Sequence, residues 1–182
     1  DRLIKESLRT VKLSEIQYGD KEVKQVLLLY NIVTMLKSSA DNSYFPFQIF
    51  INNAWDIEHI TSIKESMPEG SDRIRWINDA KVFIDESTTE GLDLRKRAEK
   101  CKCDIDDEFK ILFEEIVSHF NSNVDDGDVN DISNLTLLDS ETNRGYKNAV
   151  FPLKRKTIID KDKQGVFIPL CTKNVFLKYF SA

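Results

Sequence analysis

The chain has 182 residues, of which 41% are hydrophobic and 10% aromatic, and its formal net charge is −5. That apolar content is sufficient for one globular unit with a full core. The sequence has no run of roughly 18 apolar residues, and it starts with the charged stretch DRLIKESLRT, so we expect neither a membrane span nor a signal peptide.

Helical periodicity dominates the start of the chain. KEVKQVLLLYNIVTML, residues 21–36, repeats apolar side chains at helical spacing and predicts a core helix within an N-terminal helical segment, 1–43. The next stretch, YFPFQIFINNAWDIEHI (44–60), is aromatic and β-branched with a Pro near its start. We therefore predict that 44–60 is extended, as an edge strand would be.

The middle of the chain predicts further helices followed by a second strand. Residues 72–86 and 104–120 have helical patterns and belong to a helical insertion that we place at 61–131. The insertion ends in the acidic loop NSNVDDGDVND, 121–131. NLTLLD, 134–139, then predicts a short strand.

Two helices are expected after the second strand. Asp139 or Ser140 can cap a helix whose first turn contains Asn143. Pro152 cannot lie inside that helix, so we expect it to stop near Val150 and a second helix to restart through LKRKTII.

The stretch WDIEHI places two carboxylates beside one of only two histidines in the chain. Because a strand alternates its faces, Asp56 and Glu58 are expected to point one way and His59 the other. If Glu58 and His59 serve one site, the strand has to end or twist between them.

The order of these elements resembles that of HNH nucleases, which have the ββα-metal or His-Me finger fold. The pieces that carry the resemblance are DIEHI, ISNLTLLD and TNRGYKN, and the HNH domain of the CRISPR RNA-guided effector nuclease contains similar strings. The resemblance implies an α+β, predominantly helical fold. Its expected centre is a ββα-metal core with a large helical insertion between the two core strands.

A longer stretch resembles the C-terminal nuclease domain of GmrSD-type restriction proteins more closely. It is SNLTLLDSETNRGYKNAVFPLKRKTI, with FIPLCTKNVFLKYFS after it. The resemblance implies one nuclease domain over 1–182, with 44–60 and 132–182 as catalytic core and basic tail. It also implies an N-terminal ParB-like nucleotide-hydrolysing domain in a longer, prokaryotic protein, and the start at Asp1 rather than Met favours such a fragment.

Residue chemistry and resemblance together suggest roles for the candidate site. Phosphodiester hydrolysis needs a base for water, and an imidazole with an ordinary pKa of about 6.5 is suited to that task at neutral pH, so His59 is the candidate catalytic residue. Glu58 and the Asn143 amide oxygen are implied ligands of one divalent cation, Mg²⁺ or Mn²⁺. Asp56 shares the face of Glu58 and is either a further ligand or a residue behind the ligands.

Two asparagines are supporting candidates. The resemblance implies that Asn134 ties its loop to the His59 backbone and holds the imidazole. Asn148 stands five residues after Asn143, roughly 140° around a helix, so it faces elsewhere. It either supports the site or caps the break before Pro152.

The net charge hides an asymmetry along the chain. Between residues 143 and 178 nine Lys and Arg stand against two Asp, a local charge of +7, so the rest carries −12. A basic tail on an acidic body is typical of a surface that meets phosphate, although a solvated lysine-rich helix has the same pattern. The candidate contacts with DNA phosphates are Arg144, Lys147, Lys154, Arg155 and Lys156.

Other reactive residues have simpler interpretations. His119 lies in an amphipathic pattern beside Phe120, which favours a structural role. Cys101 and Cys103 lack a second nearby pair, which argues against a structural zinc. With Cys171 they make an odd number of cysteines, too few for a disulfide framework, so a reducing cytoplasm fits best.

Three functions from different classes remain open at this point. The first is a metal-dependent DNA endonuclease, the nuclease part of a modification-dependent restriction or phage-defence protein. The second is a catalytically inactive HNH-like module that binds DNA or regulates a partner. The third is a helical protein-interaction domain in which the motif arises by chance. Retention of Glu58, His59 and Asn143 together favours the first.

Overall fold

The computed structural model describes residues 12–37, 44–61, 67–121, 129–146 and 149–177. Over these residues the chain is predominantly helical with one two-stranded antiparallel sheet, which confirms the α+β class. The helices and strands in chain order are α1 (Val23–Lys37), α2 (Phe47–Asn52), β1 (Trp55–His59), α3 (Asp72–Lys81), α4 (Thr89–Lys100), α5 (Asp106–Asn121), β2 (Leu135–Asp139), α6 (Ser140–Tyr146), α7 (Phe151–Lys163) and α8 (Leu170–Leu177). None of these helices combines the length and apolar character needed to cross a bilayer.

The two strands form a hairpin that is closed by a very long connection. Trp55 pairs with Asp139 and His59 with Leu135, although 74 residues separate His59 from Asn134. Both ends of that connection are held together, since the Ile60 N–H donates to the Asn134 carbonyl at 2.8 Å. The insertion therefore leaves and re-enters the hairpin at one point.

The prediction of an extended segment over 44–60 is wrong for its first half. Residues 47–52 form the short helix α2, and only Trp55–His59 is a strand. The aromatic side chains explain the difference: the rings of Phe50 and Trp55 stack with centroids 5.1 Å apart, and Trp55 Nε1–H donates to the Phe50 carbonyl. Phe50 in the helix thus packs on the first residue of the strand, instead of lying in one strand with it.

The insertion has its own apolar core. Phe109, Phe113 and Ile116 of α5 are fully buried and pack against Trp76 of α3, in a cluster that also includes Val150 before α7. The helices predicted at 72–86 and 104–120 are confirmed as α3 and α5, with α3 ending at Lys81. Helix α4 was not predicted individually because TEGLDLRKRAEK is mostly charged and offers a short apolar stripe.

Helices cover both faces of the hairpin. On one side Leu137 packs against Val23 and Leu27 of α1. On the other Leu138 packs against Ile158 of α7 and Phe176 of α8. All five residues of β2 are buried as a result, which fixes the position of the helix that follows it.

The predicted strand and the two helices after it are confirmed. Asp139 Oδ1 accepts a hydrogen bond from the Thr142 N–H at 2.9 Å, as expected of a residue that caps α6. Helix α7 begins after Val150, with Pro152 in its first turn, where the missing N–H breaks no helical hydrogen bond. The chain thus runs from β2 directly into α6, which places Asn143 beside β1.

Candidate functional site

One face of β1 carries two carboxylates toward the helices that follow β2. Asn143 of α6 donates from Nδ2 to Asp56 Oδ2 at 3.2 Å. Two residues along the strand, Glu58 Oε1 lies 2.6 Å from the Nζ of Lys154 in α7. Asp56, Glu58 and Asn143, which the sequence singled out as metal ligands, therefore line the same side of the hairpin.

The pair formed by Glu58 and Lys154 is enclosed by protein. Only 11% of the Glu58 side chain and 4% of the Lys154 side chain are exposed. Burial raises the pKa of Glu58 above its ordinary value and nearby Asp56 raises it further, while the Lys154 ammonium opposes both. Lys154 also donates to the His59 carbonyl at 2.7 Å, so one ammonium holds two consecutive residues of β1.

His59 lies on the other face of the strand. Its ring packs against Tyr18 with centroids 4.4 Å apart, and its Nε2 is 3.2 Å from Asn130 Oδ1. The pairing of β1 with β2 continues through His59, so the strand neither ends nor reverses before it. The alternation expected from the sequence thus separates the imidazole from the face that carries Glu58.

Asn134 connects the two ends of the insertion. Its Oδ1 accepts from both the N–H and the hydroxyl of Thr61, at 3.1 and 3.0 Å, and its Nδ2 donates to the Val129 carbonyl at 2.8 Å. The expected bond to the His59 backbone is thus replaced by bonds to Thr61, two residues later. The side chain nevertheless positions the turn that carries Asn130, which contacts the imidazole.

The basic residues proposed to contact DNA have different environments. Arg144 and Lys156 are exposed, whereas Arg155 is half-buried and its Nε–H donates to the Phe176 carbonyl at 2.8 Å. Lys154 is 3% exposed, so the expectation that it contacts phosphate at the surface is wrong. It falls on the side of α7 that faces the hairpin, and Glu58 is its partner. Lys147 and the supporting candidate Asn148 lie outside the described residues.

Two residues near the site, Tyr18 and Asn130, were not predicted from the sequence, and a third, Lys154, was assigned another role. Tyr18 and Asn130 lie far from His59 along the chain and carry no local signal. Lys154 did carry one, because it stands four residues after buried Val150 and four before buried Ile158. A lysine on an apolar helical stripe predicts a buried partner of opposite charge.

The oxygen donors on the Glu58 face suit a hard divalent cation. Asp56 and Glu58 offer carboxylate oxygens, and Asn143 offers an amide oxygen if its side chain turns over. Within the described ranges, no group of three or more His, Cys, Asp or Glu gathers in a way that could hold a metal ion. The face therefore presents two carboxylates, those of Asp56 and Glu58, with the Asn143 amide beside Asp56 and the Lys154 ammonium beside Glu58.

Comparisons of the chain with profiles of known families, with curated proteins and with solved structures give no match. These comparisons therefore assign the chain to no family.

Proposed function

We propose that the chain is a metal-dependent DNA endonuclease of HNH type that hydrolyses phosphodiester bonds. The observation that carries the proposal is the contact between Asp56 of β1 and Asn143 of α6, on the face that also carries Glu58. Two strands and a helix that converge on carboxylate and amide oxygens are what the resemblance to HNH nucleases implies. By the same resemblance the chain serves restriction or phage defence in a prokaryotic cytoplasm, with a ParB-like nucleotide-hydrolysing domain as its partner.

The proposed ligands divide the work at the scissile phosphate. A divalent cation, Mg²⁺ or Mn²⁺, supplies Lewis-acid stabilisation of the negative charge that develops during the reaction. Asp56 and Glu58 provide the negative charge that retains it, and Asn143 adds a neutral oxygen. Asp56, Glu58 and Asn143 would hold the cation, and the scissile phosphate would approach it from the same face.

His59 is the proposed general base. Its Nε2 lies 3.2 Å from Asn130 Oδ1, a contact that orients the imidazole proposed to take the proton from water. The ring belongs to the last residue of β1 and is buried, and half-exposed Tyr18 lies against it.

A second candidate is a module that binds DNA without cutting it. Two observations favour this candidate: Glu58 is paired with the chain's own Lys154, and the His59 ring lies on the opposite face of β1. The exposed side chains of Arg144 and Lys156 would serve either function.

Plasmid cleavage separates the two candidates. The intact protein is incubated with supercoiled DNA in Mg²⁺ or Mn²⁺ and in EDTA, beside His59→Ala and the control His119→Ala, which changes the other histidine, on α5. Cation-dependent cutting that His59→Ala alone loses supports the endonuclease. Salt-dependent DNA binding without cutting in any cation supports the second candidate.

A further inference from the structure

We propose that the Lys154 ammonium is a built-in competitor of the divalent cation at Glu58, so that the cation binds only as the ammonium leaves that carboxylate. The inference rests on the cation site proposed above. It assigns to Lys154 the control of metal affinity, in place of the surface contact with DNA that its sequence position suggested.

The first argument is the position of the ammonium. Its Nζ lies 2.6 Å from Glu58 Oε1, so a cation that used the same oxygen would lie beside the ammonium. Two positive centres beside one carboxylate repel each other. That repulsion is strong here because both side chains are almost completely buried and water screens them little.

The second argument is that Lys154 has another acceptor to hold it. It donates to the His59 carbonyl at 2.7 Å, so the ammonium can release Glu58 and still keep a hydrogen bond to β1. The exchange therefore leaves the buried ammonium with an acceptor. A lysine held by Glu58 alone would lose its hydrogen bond to this strand on release and would resist displacement far more strongly.

The test measures Mn²⁺ affinity in the absence of DNA, by calorimetry and by the electron paramagnetic resonance signal of unbound Mn²⁺. Lys154→Met removes the charge and keeps the length, and it is expected to tighten Mn²⁺ binding about tenfold or more, within the usual range of coupling between linked sites. Lys154→Arg keeps the charge and is expected to bind Mn²⁺ as weakly as the unaltered protein.

Two further variants separate this inference from the site on which it rests. Lys163→Met removes the same charge from an exposed position of α7 and should leave Mn²⁺ affinity unchanged. Glu58→Gln should weaken binding. If Glu58→Gln weakens binding but Lys154→Met does not tighten it, the competitor role is overturned and the cation site stands. If none of the proteins binds Mn²⁺, both fail.

A measurement on the unaltered protein covers the case in which Lys154→Met does not fold. Nitrogen-15 spectra of the lysine ammonium groups are recorded during titration with Mg²⁺, and the Lys154 signal is identified by its loss in Lys154→Arg. As Mg²⁺ saturates the site, we expect the Lys154 signal to shift and the ammonium hydrogens to exchange faster with water. An unchanged Lys154 signal at saturation would overturn the inference.

Discussion

One ion pair in the insertion and one at the hairpin differ in how far their side chains are exposed. In the insertion, Arg97 and Glu115 pair across α4 and α5 at 2.5 Å with more than 40% of each side chain exposed, above a core of aromatic and aliphatic residues. At the hairpin, the Glu58–Lys154 pair is buried between a strand and a helix. The Arg97–Glu115 pair is partly in water, and the Glu58–Lys154 pair is enclosed.

The two ion pairs are expected to differ in what they contribute to the stability of the fold. An exposed ion pair contributes little and costs little, whereas an enclosed pair has lost the hydration of both charges and is often no more stable than an apolar pair of the same size. The roles proposed above for Glu58 and Lys154 would account for a buried pair that adds little to stability.

The largest expected effect is on folding stability. Lys154→Ala leaves the Glu58 carboxylate buried without the ammonium that pairs with it. The change is expected to destabilise the protein by about 3–5 kcal/mol. The corresponding change in the insertion, Arg97→Ala, is expected to cost about 0–1 kcal/mol because its partner remains in water. Urea denaturation followed by circular dichroism measures both. Equal losses in the free energy of unfolding would show that the buried pair and the exposed pair contribute alike to stability.

His59→Ala is expected to lower the cleavage rate by a factor of about 10² or more, as removal of a general base does. Folding and DNA affinity should stay close to those of the unaltered protein, because a base acts in the transition state. Single-turnover cleavage of a labelled duplex and a parallel binding titration supply the two readings. A variant that cuts at the original rate would remove His59 from the mechanism.

Removing a proposed ligand should weaken the response to metal. Glu58→Ala and Asn143→Ala are each expected to raise the half-saturating Mg²⁺ concentration for cleavage, since each takes away one of few protein oxygens. Mn²⁺ should restore activity better than Mg²⁺ because it binds such sites more tightly. Metal titrations that coincide with those of the unaltered protein would place the cation elsewhere.

The exposed basic residues should act through phosphates without reading sequence. Replacing Arg144 and Lys156 by Gln is expected to lower the magnitude of the log K against log salt slope by up to about 1.8, or about 0.9 per lost contact. The loss should be equal for unrelated DNA sequences. Fluorescence anisotropy at several salt concentrations gives the slope, and an unchanged slope would mean that these side chains are merely solvated.

The smallest expected effect concerns the stability of the fold at acid pH. It compares two aspartates, one in the insertion and one before β2, that each accept hydrogen bonds from the serine two residues later. Asp85 accepts hydrogen bonds from the N–H and hydroxyl of Ser87 in the insertion, and Asp131 accepts them from the hydroxyl and N–H of Ser133 before β2, so each pKa lies below its ordinary value. A lowered pKa contributes stability at neutral pH that is lost as pH falls through the folded-state value.

The expected result is that Asp85→Asn and Asp131→Asn each reduce slightly the difference in urea midpoint between pH 7 and about pH 3, the acid side of the ordinary aspartate pKa. Because both carboxyls are exposed, the two variants should behave alike. A large effect in Asp131→Asn alone would show that the Asp131 turn stabilises the hairpin far more than the Asp85 turn stabilises the insertion.

Patterns that act over short distances predicted much of this fold. The strand NLTLLD, the cap at Asp139 and the helical break at Pro152 follow from neighbours within a few residues, and each is confirmed. The shared face of Asp56 and Glu58 follows from strand alternation in the same way and agrees with their contacts.

Features that depend on distant partners were not predictable. Residues 47–52 read as extended because aromatic residues suit strands, and only the stacking of Phe50 on Trp55 reveals a helix. The cover that Tyr18 forms over His59 depends on a turn held against Asn130, more than a hundred residues later. Lys154 was assigned to the surface because charge was counted along the chain and not around the helix.

The closure of the insertion has a consequence for the order in which the chain folds. Pairing Trp55 with Asp139 brings together residues 84 positions apart, and such distant contacts form slowly because a long loop must be closed first. Helices α4 and α5 need only local contacts, and once they are packed the Asn134 bonds to Thr61 and Val129 join two ends that already lie close. A substitution that loosens the insertion would therefore slow the assembly of a site that it never touches.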